Sequence, residues 1–310
     1  MLTFPRTRAS GRLSAGRRSN VEDEPVSAGL PLRETPMSMA TRWALGLAYA
    51  LQPQRIGSVP HLLLGTARDL MRGGTDVPDP SRTQSRPDTF AGVVRNLTPE
   101  TYLEALRRGF FPWAHCGPLK WWTRRRRMVL FFQNMHMSRR LTRSLRTGKY
   151  TFTFDQAFDE VVRQCSAPRS YNWHTLTWLT PRYMRLFSEL HRMGHAHSFE
   201  VWNADGALVG GGFGVASGRI FVGESMFSHE TDTSKLGCAV LYAHLERWGF
   251  ALVDARDYTP VLEKAGYREI PRAEYEGLLE VHARAPGFAG PWTMDDAVLQ
   301  DAYGWSFTGS

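Results

Sequence analysis

The sequence predicts an α+β chain, on three observations. Residues 197–202, 207–216 and 219–227 read as three antiparallel strands, parted by turns at Asn203-Ala204-Asp205-Gly206 and Ser217-Gly218. A helix over 233–248, a strand over 251–254 and a short helix over 260–265 follow them. A hydrophobic content of 42% and an aromatic content of 12% in 310 residues supply a core for one or two packed domains.

Taken in order, residues 1–88 are rich in Arg, Ser, Gly and Pro and are expected to be a poorly ordered basic extension, with one amphipathic helix over 39–51. Thr98-Pro99-Glu100 reads as a helix start, Thr98 capping and Pro99 in the first turn, with Tyr102, Leu103 and Leu106 on the apolar side before Gly109. A strand is expected over 128–132, a basic helix over 138–145 and a strand over 150–154. Helices are expected over 155–165, where Ala157, Phe158, Val161, Val162 and Cys165 share a face, and over 181–193. The domain reading is a small N-terminal α/β domain (89–149), a larger domain (150–285) and a tail (286–310). Three antiparallel strands, then helix, strand and helix, is the order of the second half of an N-acetyltransferase-like (GNAT-like) fold.

Charge narrows the partners. The chain carries +8, and the stretch from Ala105 to Phe154 holds twelve basic residues and no acidic one. A solvated face normally mixes signs, so this segment, with Arg124, Arg125, Arg126, Arg127, Arg139 and Arg140, points to a polyanion. No run of eighteen apolar residues exists, so no membrane-spanning helix is expected. Three cysteines without paired spacing point to a reducing cytoplasm. His195 and His197 sit two apart at a strand start and face opposite ways, so no metal is expected. Gly210-Gly211-Gly212-Phe213-Gly214 lacks the strand–helix context of a phosphate loop, and no Gly-rich loop opens the helix at Thr233, so no nucleotide cofactor is expected either.

Several short motifs recur in one order: Gly109-Phe110-Phe111-Pro112-Trp113, Trp121-Trp122, Trp178, Gly194-His195-Ala196-His197-Ser198, Gly223-Glu224-Ser225-Met226-Phe227-Ser228, Ser234-Lys235, Asp254 and Ile270-Pro271-Arg272. With these the chain resembles bacterial leucyl/phenylalanyl-tRNA–protein transferases over roughly residues 96–275. The resemblance implies aminoacyl transfer from aminoacyl-tRNA to the N-terminal amine of a protein or peptide beginning with Arg or Lys, by a cytoplasmic monomer without cofactor or metal. A small-molecule amine as acceptor and an inactive RNA-binding homologue are the other readings.

Site residues follow from the same source. Trp113, Trp121, Trp122 and Trp178 are expected to stack on unpaired bases of the acceptor end, beside the arginines that meet phosphate. Glu224, among apolar neighbours, either holds a substrate amino group or makes a core ion pair with Lys235 or Arg256. Asp254 ends a strand where acyl transfer sits, and is expected to orient a catalytic group or accept a proton. The chain departs from the family at Arg256, where a Gln is usual. A guanidinium cannot accept a proton, but it can stabilise an oxyanion or bind phosphate. Gly212 stands where a large apolar residue is usual, so an acyl pocket of Gly212, Phe221, Met226 and Leu241 is expected to be deep enough for a bulky group such as tryptophanyl.

Overall fold

The computed structural model describes residues 34–53, 56–83, 89–113, 117–167, 177–288 and 290–299. Two helices open the described chain, α1 (Pro36–Ala50), capped by Thr35, and α2 (Val59–Met71). The first covers the helix expected over 39–51; the second lies in the stretch expected to be poorly ordered. Asp69 of α2 holds it to the body, because its carboxylate accepts from the Val93 backbone at 2.5 Å and from the Thr75 hydroxyl. Residues 1–33 lie outside the described residues.

A three-stranded antiparallel sheet follows, ordered β1 (Phe90–Val93), β3 (Lys120–Trp122), β2 (Phe111–Trp113). Between β1 and β2 runs α3 (Pro99–Arg107), with the Thr98 cap, a reciprocal Thr98–Thr101 capping box and Pro99 in its first turn. The next strand, β4 (Arg126–Leu130), leaves this sheet for the larger one. The basic segment is therefore divided between two sheets.

After α4 (Arg139–Arg146) and β5 (Thr151–Phe154) comes α5 (Phe158–Ser166), three residues later than its apolar spacing suggests. Asp155 is held in a left-handed conformation (φ 56°), with its carboxylate on the Ser198 backbone N–H and on His197 Nδ1. The buried Glu200 carboxylate accepts the hydroxyls of Thr153 and Ser198 just ahead of the helix. Then follow α6 (Pro181–Arg192), β6 (Ala196–Trp202), β7 (Leu208–Ser217), β8 (Ile220–Ser228), α7 (Thr233–Arg247), β9 (Leu252–Arg256), α8 (Pro260–Lys264), β10 (Arg268–Pro271) and α9 (Arg272–His282). The expected strand trio is β6, β7 and β8. The strand β10 and the helix α9 have no counterpart among the expected elements.

The seven-stranded sheet runs β10-β4-β9-β8-β7-β6-β5, all antiparallel except β8 and β9. Those two are parallel because α7 returns the chain across one face between them. Side chains alternate between faces along each strand. Val129, Val222 and Leu252 join Phe158, Phe187 and Tyr102 under α3, α5, α6 and α9. Met128, Phe221 and Val253 join Leu236, Val240 and Leu245 under α7. Both faces of the sheet are thus covered by helices.

Candidate functional site

The parallel pair β8–β9 is in register only from Ile220↔Leu252 to Val222↔Asp254. Beyond that point β8 stays with β7 and β9 stays with β4, so the two strands part. Both outer ladders are also irregular at this point, with register shifts opposite Phe213–Gly214 and Met128–Val129, and the side chains at the opening meet on one face. Glu224 follows Val222, Asp254 and Arg256 follow Leu252, and Arg127 precedes Val129, all on the face that α3 and α9 cover. Four charged residues from three strands are brought together there.

They form two linked ion pairs. Arg256 donates from Nη1 to Glu224 Oε2 at 2.7 Å and from Nη2 to Glu224 Oε1 at 2.5 Å, a bidentate fork on a carboxylate whose side chain has no exposed surface. The Tyr102 hydroxyl of α3 donates to Glu224 Oε1 at 2.5 Å. Arg127 Nη2 donates to Asp254 Oδ2, and the Tyr275 hydroxyl of α9 donates to the same oxygen at 2.7 Å. Arg127 and Asp254 are both buried. The pairs are joined through the chain, since the Arg256 backbone N–H donates to Asp254 Oδ1 at 2.8 Å. That bond holds Arg256 at φ 64°, a left-handed conformation that costs a non-glycine residue about 1–3 kcal/mol.

Charge and burial are balanced locally. Burial opposes ionisation of Arg256, but the neighbouring Glu224 carboxylate holds its guanidinium well above its ordinary pKa range. Burial likewise opposes Arg127, and Asp254 more than offsets it. Burial first and Glu224 second push the Tyr102 hydroxyl well above the usual phenol range, so it remains a donor. Burial and then Asp254 do the same for Tyr275. A third pair lies at the rim, where Arg124 grips Asp257 at 2.5 and 3.0 Å. The Phe111 ring of β2 sits among the three guanidiniums, with Arg124, Arg256 and Arg127 at 4.8, 5.2 and 5.7 Å from its centroid. An open cavity of about 430 Å³ adjoins the cluster, walled by Arg124, Arg125, Arg126, Arg256, Asp257 and Glu269 among others.

At the end of the same strand, at Trp113, lies an aromatic pair. Trp113 stacks against Trp178 with centroids 5.9 Å apart and planes 30° from parallel. The Tyr183 hydroxyl holds the backbone between them, donating to the Pro112 carbonyl at 2.8 Å. Trp113 and Trp178 are both partly exposed.

Several expected site residues lie elsewhere. Arg127 and Trp121 are expected from sequence to face RNA, but both are inside. The Trp121 ring is fully buried with its Nε1–H on the Thr75 carbonyl, and Arg127 serves Asp254. Trp122 is half-buried and donates to the Trp113 carbonyl at 3.1 Å. Arg124, Arg125 and Arg126 line the cavity, whereas Arg139 and Arg140 are exposed on α4, Arg140 reaching Asp232. Lys235 also pairs with Asp232, so of the two cations considered for Glu224 it is Arg256 that pairs with it.

The expected acyl pocket is not a single cavity. Phe221 and Leu241 are packed in the core under α7, while Met226 is 39% exposed. A side chain at Gly212 would meet the Phe199 ring at 2.7 Å and the Ser225 carbonyl oxygen at 2.8 Å, so the glycine permits close packing and opens no depth. Gly212→Met is accordingly expected to cost about 1–3 kcal/mol by overpacking. Urea denaturation checks this, and an unchanged midpoint would contradict it.

Tyr102 and Tyr275 complete the site, and sequence reasoning misses both. Each lies on a helix at an apolar-face position where a tyrosine reads as ordinary core. Among the described residues no group of three or more His, Cys, Asp or Glu is placed to hold a metal ion. No helix among them is long and apolar enough to cross a membrane. Of the two histidines, His197 is stacked on Trp292 with centroids 3.8 Å apart and has its Nδ1 2.7 Å from Asp155 Oδ2.

Comparison with known proteins places this site in a family. A family profile described as leucyl/phenylalanyl-tRNA protein transferase matches residues 129–280, which span Glu224, Asp254, Arg256 and Tyr275. Proteins named leucyl/phenylalanyl-tRNA–protein transferase are similar along almost their whole length. The one from Azotobacter vinelandii is 41% identical over 71% of this chain and 96% of its own. That from Stutzerimonas stutzeri is 43% identical over the same shares, and that from Pseudomonas syringae pv. syringae is 42% identical over 70% and 94%. The solved structure of L-PGS from Bacillus licheniformis is 10% identical, with a TM-score of 0.30 over 47% of this chain and 45% of that one, a likeness too slight to assign a fold. Identity of about 41–43% across nearly the full length of these relatives leads to one conclusion: the chain belongs to the leucyl/phenylalanyl-tRNA–protein transferase family.

Proposed function

We propose that this chain transfers an aminoacyl group from aminoacyl-tRNA to the N-terminal amine of a protein or peptide, at the opening between β8 and β9. The identity of over 40% along nearly the whole length of named transferases carries this reading. In the reaction the amine nitrogen attacks the ester carbonyl and forms an amide. The bond to the terminal ribose oxygen breaks, and a proton passes from the amine to that oxygen. No outside oxidant or energy source is needed, because the ester is already activated.

The residues divide the work as their geometry allows. Asp254 is enclosed by Arg127, Tyr275 and the Arg256 backbone, so its part is to fix Arg256 rather than to take the proton. Arg256 sets the charge at the opening and is placed to face a developing oxyanion. Glu224 meets a substrate amino group in exchange for one arm of Arg256. Trp113 and Trp178 are the stacking platform for unpaired bases, and the exposed arginines of α4 meet phosphates. Such an enzyme fits an N-acetyltransferase-like fold, a reading supported by the strand order and by the parting of a parallel pair at the site.

Binding of charged tRNA is therefore expected to weaken by orders of magnitude between about 50 and 200 mM salt. Replacing Arg139 and Arg143 of α4 with Ala should weaken it for all charged tRNAs alike and flatten the salt slope by about one unit for each phosphate no longer neutralised. Fluorescence anisotropy reads both, and affinity indifferent to salt would remove RNA as the partner. The assay of the activity itself is incubation with labelled leucyl- or phenylalanyl-tRNA and a peptide, followed by analysis of the peptide for one added residue.

A further inference from the structure

The helices α1 and α2 carry their polarity the wrong way round for water. Along α1 and its C-cap, Met39, Trp43, Leu47 and Leu51 recur at four-residue intervals and all are exposed, Trp43 at 59%. The side turned to the body is polar instead, with Arg42 donating from Nη1 to the Thr177 carbonyl and from Nε to Glu34, both at 2.9 Å. The same inversion holds in α2. Leu63, Leu64 and Met71 point outward, Leu64 at 71% exposure, whereas Thr66 is buried and the Asp69 carboxylate accepts from the Val93 N–H of β1. A helix lying on a protein in water ordinarily does the reverse and buries its apolar stripe. An apolar face left outward marks a contact surface.

Charge says what the contact is. No acidic residue stands between Glu34 and Asp69, and both of these are bound within the fold. Residues 1–72 hold ten arginines against five acidic residues, and residues 1–21 hold five arginines with no acidic one. Arg68 and Arg72 are exposed at the end of α2. A second copy of this chain would bring the same positive charge to the same face. RNA would meet the arginines but gains little from outward leucines. An anionic lipid surface answers both, because its acyl boundary takes the apolar side chains and its headgroups meet the arginines. With 15 and 13 residues the two helices are about 22 and 20 Å long, short of the roughly 30 Å of a bilayer's hydrocarbon, so they would lie in the surface and not cross it.

We propose that α1 and α2 form a docking surface for an anionic phospholipid membrane. Trp43 and Leu47 of α1 and Leu64 and Met71 of α2 enter the boundary between headgroups and acyl chains, while Arg68, Arg72 and the arginines of residues 1–21 meet the phosphates. The surface is separate from the transfer site, since both helices precede the residues 129–280 that the family profile matches and neither contributes to the Glu224–Arg256 cluster.

The experiment is cosedimentation of the full chain with vesicles of phosphatidylcholine alone, or of phosphatidylcholine and phosphatidylglycerol in equal parts, at about 50 and 500 mM salt. The expected result is partitioning about tenfold or more stronger onto the anionic vesicles at low salt, weakened at high salt. Trp43→Ser with Leu47→Ser should lower it about tenfold or more, and Leu64→Ser with Met71→Ser, on the other helix, should do likewise. Both double variants should keep the affinity of the unaltered chain for charged tRNA. Binding to anionic vesicles that neither double variant weakens leaves only the arginines in contact and overturns the proposal. Loss of tRNA affinity with vesicle binding intact gives the face to RNA and also overturns it. Binding to neither kind of vesicle overturns it too. A dimer by light scattering that Trp43→Ser with Leu47→Ser dissociates then gives the face to a second copy, and a monomer gives it to the chain's own residues 1–33.

Discussion

Arg127→Met should cost the protein about 3–5 kcal/mol of folding stability, far more than an arginine in a run of four would lose at a surface. The reason is the carboxylate left behind. Asp254 has no exposed surface, and its charge is answered by Arg127, which is 1% exposed. With the guanidinium gone, the Tyr275 hydroxyl and the Arg256 backbone N–H still bond to Asp254, but no positive charge stands directly against it. The neighbouring Arg124→Met removes a half-exposed pair with Asp257 and should cost about 0–1 kcal/mol. Urea denaturation at neutral pH compares the two variants, and similar losses would mean that Arg127 is not the internal partner of Asp254.

The second large effect is on catalysis. Glu224→Gln leaves the Arg256 guanidinium beside a neutral amide in a nearly closed site, and takes from Tyr102 the carboxylate to which it donates. Transfer from saturating charged tRNA is expected to fall about a hundredfold or more, equivalent to about 2.7 kcal/mol of transition-state stabilisation. Arg256→Gln alone frees Glu224 and is the complementary variant. If the two residues act as one unit, the double variant Glu224→Gln with Arg256→Gln will not lose the sum of the two single losses. Additive losses in the rate would show that the pair seen in the fold is not what the reaction uses.

Much of this arrangement is legible in the chain, though unevenly. The strands β6, β7 and β8 can be placed because asparagine and glycine turns separate them. The short strands β1, β2 and β3 have three or four residues and include Gly92 and Pro112, too little for a periodic signal. The strand β10 likewise has four residues and ends on Pro271. Pairing with neighbours, a long-range property, is what makes them strands.

The site shows the same division between local and long-range information. Glu224 is legible as a carboxylate among apolar neighbours, and Arg256 as one of its two candidate partners. Arg127 misleads because four consecutive arginines look uniformly solvated. The alternation of Met128, Val129 and Leu130, carried back along the strand, puts Arg127 on the inner face with Val129, and a cation there demands a buried carboxylate. No comparable signal marks Tyr102 or Tyr275, whose hydroxyls meet Glu224 and Asp254 only after α3 and α9 dock on the sheet. Gly212 reads as missing volume in the sequence, while the fold shows that volume already filled by Phe199.

The most direct test of the central claim is mass spectrometry of a defined peptide after incubation of the full chain with tRNA charged with leucine or phenylalanine. The account predicts a gain of one amino-acid residue at the peptide's N-terminal amine, matched by loss of the aminoacyl group from the tRNA, and no gain when that amine is acetylated. Tight binding of charged tRNA with no residue added to any peptide would contradict it.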